Sequence, residues 1–190
     1  MASIFAHGAV AVALGHALLP GPRPWRLWAA SVLCSALPDA DVIGFALGIA
    51  YEHPLGHRGF SHSLLFAALL SAGVVYGSFR ESAKNSRLKG LLLLHFFLVT
   101  ASHGFLDALT DGGLGVAFFA PFDNTRYFLP WRPIVVSPIG ARAFFSRWGL
   151  EVVFNELFWI WLPAGLVALL SAAARRRLAK KSGWDDGGRT

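Results

Sequence analysis

Charge is what this sequence has least of. Asp, Glu, Lys and Arg make up 15% of its 190 residues, against about 25% in an ordinary soluble domain. The shortage is concentrated, with no charged residue from Ser63 to Phe79, from Gly90 to Ser102, or from Leu157 to Ala174. The first and third of these runs approach the ~20 apolar residues that cross a ~30 Å hydrocarbon core. The middle run reaches a similar length if it continues to Ala108. So small a chain has too little other protein to bury three helices that are apolar all round, which excludes a soluble globular fold. Cysteine is nearly absent: Cys34 stands alone in an apolar stretch. That excludes an internal disulfide and a thiolate metal site, and Cys34 reads as a small core residue. The first twenty residues lack a basic n-region, which argues against a cleaved signal peptide.

Acids are also few, 11 against 17 basic residues, giving a net charge of +6. Nucleic acid is not the expected partner, because the basic residues do not interleave with aromatics as in an RNA-binding module. They flank apolar runs instead, as in Arg175-Arg176-Arg177-Leu178-Ala179-Lys180-Lys181, the positive-inside pattern of a membrane protein. What is abundant fits this: 55% of residues are hydrophobic and the mean hydropathy is +0.51.

The expected fold is an all-α integral membrane protein, a bundle of about four to five transmembrane or membrane-embedded helices. Five segments are expected: Ile4 to Leu19, Trp25 to Ala36, Ser63 to Phe79, Leu88 to Leu109, and Val152 to Ala174. Pro20, Pro22 and Pro24 end the first, and the second is short for a span by itself. Ser61 is a candidate N-cap for the third, Gly112-Gly113 ends the fourth, and Pro163 kinks the fifth. Residues 1–174 read as one membrane-embedded domain and residues 175–190 as a basic, disordered cytoplasmic tail. The connection from Arg80 to Lys89 holds four basic residues, and with Arg23, Arg26 and the tail it should face the cytoplasm. The loop carrying Arg126, Arg132, Arg142 and Arg147 then falls outside, as long loops can. The implied location is a membrane, crossed several times with the C-terminus cytoplasmic, with membrane lipid as the immediate partner.

Alternation of these segments gathers the chemistry. His7 opens the first helix, Asp39 and Asp41 follow the second, His57 and His62 precede the third, and His103, Asp107 and Asp111 lie in the last turns of the fourth. All fall at one membrane face. Leu37-Pro38-Asp39-Ala40-Asp41 sets two carboxylates two residues apart, a spacing that serves one metal or bridges two. His103 and Asp107 are four apart on a helix, so they share a face. Each group taken singly also has a plain structural reading: solvated acids in a turn, or a hydrogen bond along a helix. Together they sit where ionisable groups cost several kcal/mol unless paired or functional. Imidazole and carboxylate without thiolate suit a divalent zinc, manganese or iron.

At these residues the chain resembles a known family. Leu37-Pro38-Asp39-Ala40-Asp41, then Gly56-His57-Arg58-Gly59-Phe60-Ser61-His62-Ser63, then Ser102-His103 with Asp107 and Thr110 are similar to the YdjM-like inner-membrane proteins, regarded as metal-dependent hydrolases. Ser61 stands where that pattern usually has Thr, which keeps the hydroxyl. His7 matches an N-terminal histidine of the family, and Pro130-Trp131-Arg132-Pro133-Ile134 matches a later segment. The resemblance covers most of residues 1–140 and is not diagnostic in the C-terminal helix. It implies distant similarity to zinc-dependent phospholipase C and related nucleases, and so zinc first among the metals. It implies as candidate ligands His7, Asp39, Asp41, His57, His62, His103 and Asp107, without saying which share an ion. Phosphodiester hydrolysis is implied only by analogy.

Three functions are compatible with this pattern. The first is a membrane-bound hydrolase at the outer face, acting on a phosphoester or lipid-linked substrate. In it Asp41 or Asp111 would take the proton, and Arg58, Arg126 or Arg132 would hold the substrate. Arg58 reads equally as a headgroup anchor, and Tyr127, Phe128 and Trp131 as an interfacial belt. The second is a metal transporter, for which His16 and His95, deeper in their helices, would mark the path. The third is a non-catalytic protein in which metal staples helix ends.

Overall fold

The computed structural model describes residues 1–181; the expected tail from Ser182 onward lies outside them. The charge-free runs are all helical. Helix α1 is Ile4–Leu18 and α2 is Trp25–Ala36. A 3-10 turn, Leu37–Val42, and a single helical turn α3, Ile43–Ala46, extend α2. Then come a 3-10 turn at Phe60–His62, α4 at Leu64–Ser78 and α5 at Ser86–Ala108. After a long irregular segment, α6 (Ala141–Phe144) precedes α7 (Arg147–Glu156) and α8 (Leu162–Lys181). The last two are joined by a π-turn, Leu157–Trp161.

Three stretches are long and apolar enough to cross a membrane: Trp25–Ala46, Ser86–Ala108 and Arg147–Leu178. The second, of 23 residues, is about 34 Å long at 1.5 Å per residue. Helices α1 and α4 have 15 residues each, about 22 Å, and fall short of the hydrocarbon thickness alone. The second segment gains its length from the Leu-Pro-Asp-Ala-Asp turn, which continues the rod instead of ending it.

Local chemistry sets the boundaries. Ser3 caps α1 by accepting from the Ala6 amide, and Asn85 caps α5 by accepting from Leu88. For α4 the cap is Ser63, accepting from Phe66 at 3.0 Å, and not Ser61, which turns toward Asp41. Pro163 follows the π-turn with only Leu162 between them. A proline has no N–H and clashes with the carbonyl four residues back, and the wider turn at Leu157–Trp161 accommodates both. Helix α8 runs past Ala174 through the basic stretch to Lys181.

One apolar core binds α1, α2, α4 and α5 around Ala11, Leu27, Cys34, Val75, Leu92, Phe96 and Val99. Small residues let the helices approach: a Cβ on Gly15 would stand 2.6 Å from the Trp28 ring. Helix α8 packs along α1 and leaves Leu162, Leu166, Leu169 and Leu170 exposed, Leu169 by 71%. Such a row is unfavourable in water and suits hydrocarbon. Helix direction puts the ends in order. The α1 start, the Leu37–Val42 turn, the Phe60–His62 turn and the α5 end meet at one pole. Arg23, Arg26 and the Arg80–Lys89 connection lie at the other, with the basic end of α8.

Candidate metal centre

Helix α5 contributes His103 and Asp107, one turn apart on its inner face and both fully buried. Helix α1 lays His7 against them, its ring stacked on that of His103 at 3.7 Å. The 3-10 turn after α2 supplies Asp39 and Asp41, and the one before α4 supplies His62. A conformationally demanding loop delivers His62. A Cβ on Gly56 would sit 2.2 Å from the Ala50 carbonyl, and one on Gly59 2.2 Å from that of Pro54. Between them Arg58 takes the left-handed conformation, φ 61°, which is rare for a residue with a side chain.

Four donor atoms converge. His62 Nε2 is 3.1 Å from His103 Nε2 and 3.6 Å from both Asp39 Oδ1 and Asp107 Oδ2. His103 Nε2 is 3.2 Å from Asp39 Oδ1. All four residues offer atoms within 4.8 Å of one another. Ligands about 2.0–2.1 Å from a tetrahedral ion stand about 3.3 Å apart, so the observed spacings are those of such an ion's edges.

The protons are placed to match. His103 Nδ1 lies 2.6 Å from the Ser35 carbonyl. A carbonyl only accepts, so Nδ1 carries the hydrogen and Nε2 turns its lone pair inward. His62 Nδ1 faces the Asp41 Oδ2 at 3.2 Å and the Ser61 hydroxyl at 3.0 Å, which keeps a proton on Nδ1 and turns Nε2 toward the cluster, where a metal would displace the proton it carries. Asp39 Oδ1 and both ring nitrogens of His7 are buried without a hydrogen-bond partner. Orphaned polar atoms at this depth are costly, and a cation beside Asp39 Oδ1 removes that cost there, whereas His7 belongs to neither group of converging donors. The residues present fit a divalent metal. For His62, burial favours the neutral ring, but the carboxylates of Asp107, Asp39 and Asp41 outweigh it and push its pKa up to about 10.

A second group, Asp41, His57 and His62, also brings its donors within 4.8 Å, through the same histidine. Here every carboxylate oxygen is already engaged. Asp41 Oδ1 takes His57 Nδ1 at 2.6 Å, while Oδ2 accepts from the Ser61 hydroxyl at 2.6 Å and the Arg58 amide at 3.1 Å. This geometry fixes the orientation of His62 from behind.

The remaining candidate residues stand outside the two donor groups and have partners of their own. Arg58 is fully buried. Its Nε donates to Asp107 Oδ2 at 3.0 Å, and its Nη atoms donate to the Gly112 carbonyl and the Thr110 hydroxyl. Its guanidinium therefore points inward and is committed to protein acceptors, neither at a headgroup nor toward a substrate. Arg126 donates to the His57 and Tyr51 carbonyls and lies over the Tyr51 ring, so it holds the histidine loop. Arg132 lies over Phe128, and Asp111 is exposed and accepts from the Val136 amide. His95 is apart from the cluster, bonded to Ser31 at 2.8 Å, and His16 lies against Trp28.

Two supporting groups were not read from the sequence. The Ser35 carbonyl is a backbone atom and has no signature there. Glu156 is fully buried and accepts from the Ser3 amide and hydroxyl, each at 2.5 Å, which ties the start of α1 to α7. Its signal was available: an acid standing directly before the apolar run from Leu157.

No solved structure matches the chain. It is 37% identical over 169 residues to the inner membrane protein YbcI of Escherichia coli (strain K12), covering 88% of this chain and 95% of that protein. The family model described as YdjM inner membrane protein matches residues 1–178. The chain belongs to the YdjM family of inner membrane proteins.

Proposed function

We propose that this protein is a multi-pass inner-membrane hydrolase that uses a divalent metal, zinc before manganese or iron, to cleave a phosphoester or lipid-linked substrate. The observation that carries the reading is the convergence of four lone-pair donors from three separate segments at spacings of 3.1 to 3.6 Å. Asp39, His62 and His103 would hold the cation together with Asp107, whose Oδ2 also accepts from Arg58. A bound divalent cation supplies a Lewis acid for charge developing on a phosphoryl or acyl oxygen. Asp41 keeps the His62 proton on Nδ1, and the Ser35 carbonyl keeps that of His103 on Nδ1. His7 Nε2, 3.6 Å from Asp107 Oδ1, is placed to accept a proton from an attacking water. Asp41 has both oxygens occupied and Asp111 lies outside the cluster, so His7 is the better base. Asp39, its side chain 12% exposed, marks the approach for substrate.

The pole bearing Arg80–Lys89 and the end of α8 faces the cytoplasm by charge bias, which puts the centre toward the outer face. A second reading, metal as a non-catalytic staple, draws on the near-complete burial of the donors, since closed four-ligand sites are usually structural. Purified protein in mild detergent, with metals measured by mass spectrometry and hydrolysis measured on phosphodiester and phospholipid substrates, separates the two. Stoichiometric metal with turnover that His103→Ala abolishes supports the hydrolase. Stoichiometric metal without turnover supports the staple, and a folded wild type that takes up no metal refutes both.

A further inference from the structure

The pole opposite the metal centre carries cations without counter-charges. Among the described residues its ion pair is Lys84 with Glu81, at 2.6 Å and fully in solvent. Among the described residues, no carboxylate stands within ion-pair distance of Arg23, Arg26, Arg80, Arg87, Lys89 or Arg175.

Two of these guanidiniums converge on the last turn of α1. Arg23 donates its Nε and Nη2 to the Leu19 carbonyl at 3.1 and 2.6 Å. Arg175 reaches across from α8 and donates to the His16 carbonyl. Burial and the neighbouring Arg175 charge both lower the pKa of Arg23, so the two cations repel each other at this spot. Helix-end carbonyls offer only partial negative charge, and two full positive charges remain to be balanced.

Beside Arg23 lies a mostly apolar cavity of about 250 Å³, walled by Leu19, Leu27, Phe79, Leu88 and Leu92 with Ser82 at its edge. It sits between the α1–α2 loop and the α4–α5 connection. The adjoining Trp25 is 74% exposed, as a residue at the membrane–water boundary is. An apolar recess beside paired guanidiniums at this level matches a molecule with a hydrocarbon body and an anionic head. A free anion would have no use for the recess, and a neutral lipid none for the charges.

We propose that this pole binds one anionic phospholipid of the adjacent leaflet, part of one acyl chain in the Leu19–Leu92 recess and its phosphate at Arg23 and Arg175. Basic pockets between membrane helices recognise headgroups in this way, and each guanidinium has N–H donors beyond those given to the Leu19 and His16 carbonyls, Arg23 Nη1 among them. The site is independent of the metal centre, from which it is separated by the length of α1.

Native mass spectrometry of the full chain in detergent, titrated with phosphatidylglycerol or phosphatidylcholine, tests it. One phosphatidylglycerol retained per chain in preference to phosphatidylcholine is expected. The double variant Arg23→Gln, Arg175→Gln should lose that preference by about thirtyfold, the effect of removing two charges near the membrane surface, with metal content unchanged. Leu88→Trp, which fills the recess and leaves both guanidiniums, should abolish retention. Equal retention of the two lipids by the wild type overturns the proposal, whatever the variants do. So does displacement of phosphatidylglycerol by inorganic phosphate at equal concentration, which would make this a free-anion site. Unchanged retention in a folded double variant overturns it as well.

Discussion

Two groups of donors share His62, one at each ring nitrogen, and a pair of conservative substitutions distinguishes which of them would hold an ion. Asp39→Asn keeps the volume and removes the charge from an oxygen that lies 3.2 Å from His103 Nε2 and 3.6 Å from His62 Nε2. Structural zinc sites bind with about 10–16 kcal/mol over four ligands, so one ligand is worth roughly 3 kcal/mol, more than a hundredfold in affinity. Asp41→Asn acts at one remove, through the bond to His62 Nδ1 at 3.2 Å. Loss of such an orienting partner costs about 10–100-fold, or about 1.4–2.8 kcal/mol. Both variants should fold, since Asp39 Oδ1 makes no hydrogen bond and an Asn at 41 still has an oxygen for His57 or Ser61. The assay is zinc affinity of detergent-purified protein by competition with a chromogenic chelator at fixed pH. The expected order of damage is Asp39→Asn, then Asp41→Asn, with His57→Ala mildest. If His57→Ala and Asp41→Asn abolish binding while Asp39→Asn leaves it intact, the ion lies on the Nδ1 side of His62 and the assignment is refuted.

Three further outcomes follow from the same contacts. Asp107→Ala leaves the Arg58 guanidinium buried and unpaired and should destabilise the protein by about 3–5 kcal/mol; adding Arg58→Ala should restore part of this, and strictly additive thermal shifts would show that the pair is not coupled. Because the folded pKa of His62 stands at about 10 against its ordinary 6.5, metal-stripped protein should hold that stabilisation fully below about pH 6.5 and lose it as pH rises toward 10. Metal affinity should climb over the same window, about tenfold per pH unit for the one proton displaced; a flat affinity profile between pH 7 and 9 would contradict it. Glu156→Ala strands the Ser3 amide and hydroxyl, at about 1–3 kcal/mol for each buried group left unsatisfied, and should lower the melting temperature while stoichiometric metal is retained.

The membrane fold was legible because hydrocarbon imposes a constraint that composition alone can express. Runs without charge give the rods, and Pro20–Pro24 and Gly112-Gly113 give two of their ends, while the cap of α4 is Ser63 and not the expected Ser61. The second span was the hardest to read. Pro38 signals a stop when a helix is expected to be regular, yet the Leu37–Val42 turn takes proline near its start and carries the rod on to Ala46. The gathering of His7, Asp39, Asp41, His62, His103 and Asp107 at one pole followed from segment order alone, since four segments with known direction leave few places for their ends. Their division of labour did not, because it depends on which ring nitrogen faces which oxygen. Asp39 and Asp41 are indistinguishable as letters two positions apart. In the fold one lies on the Nε2 side of His62 with an unpartnered oxygen, and the other lies on the Nδ1 side with both oxygens taken.

Arg58 shows the same limit from the other direction. Next to His57 and near His62 it reads as a cation offered to a substrate, because an arginine in a polar motif is usually exposed. Its left-handed backbone turns the side chain into the protein, where Asp107, Thr110 and Gly112 take its donors. A cation fixed there does something a substrate-binding arginine would not. It lets two carboxylates, Asp39 and Asp107, face the same small volume without the full cost of their mutual repulsion, since one of them is already half neutralised. The centre can then accept a divalent ion and approach neutrality. On this argument replacing Arg58 by lysine, which cannot reproduce three directed bonds, should weaken the fold and the metal site together.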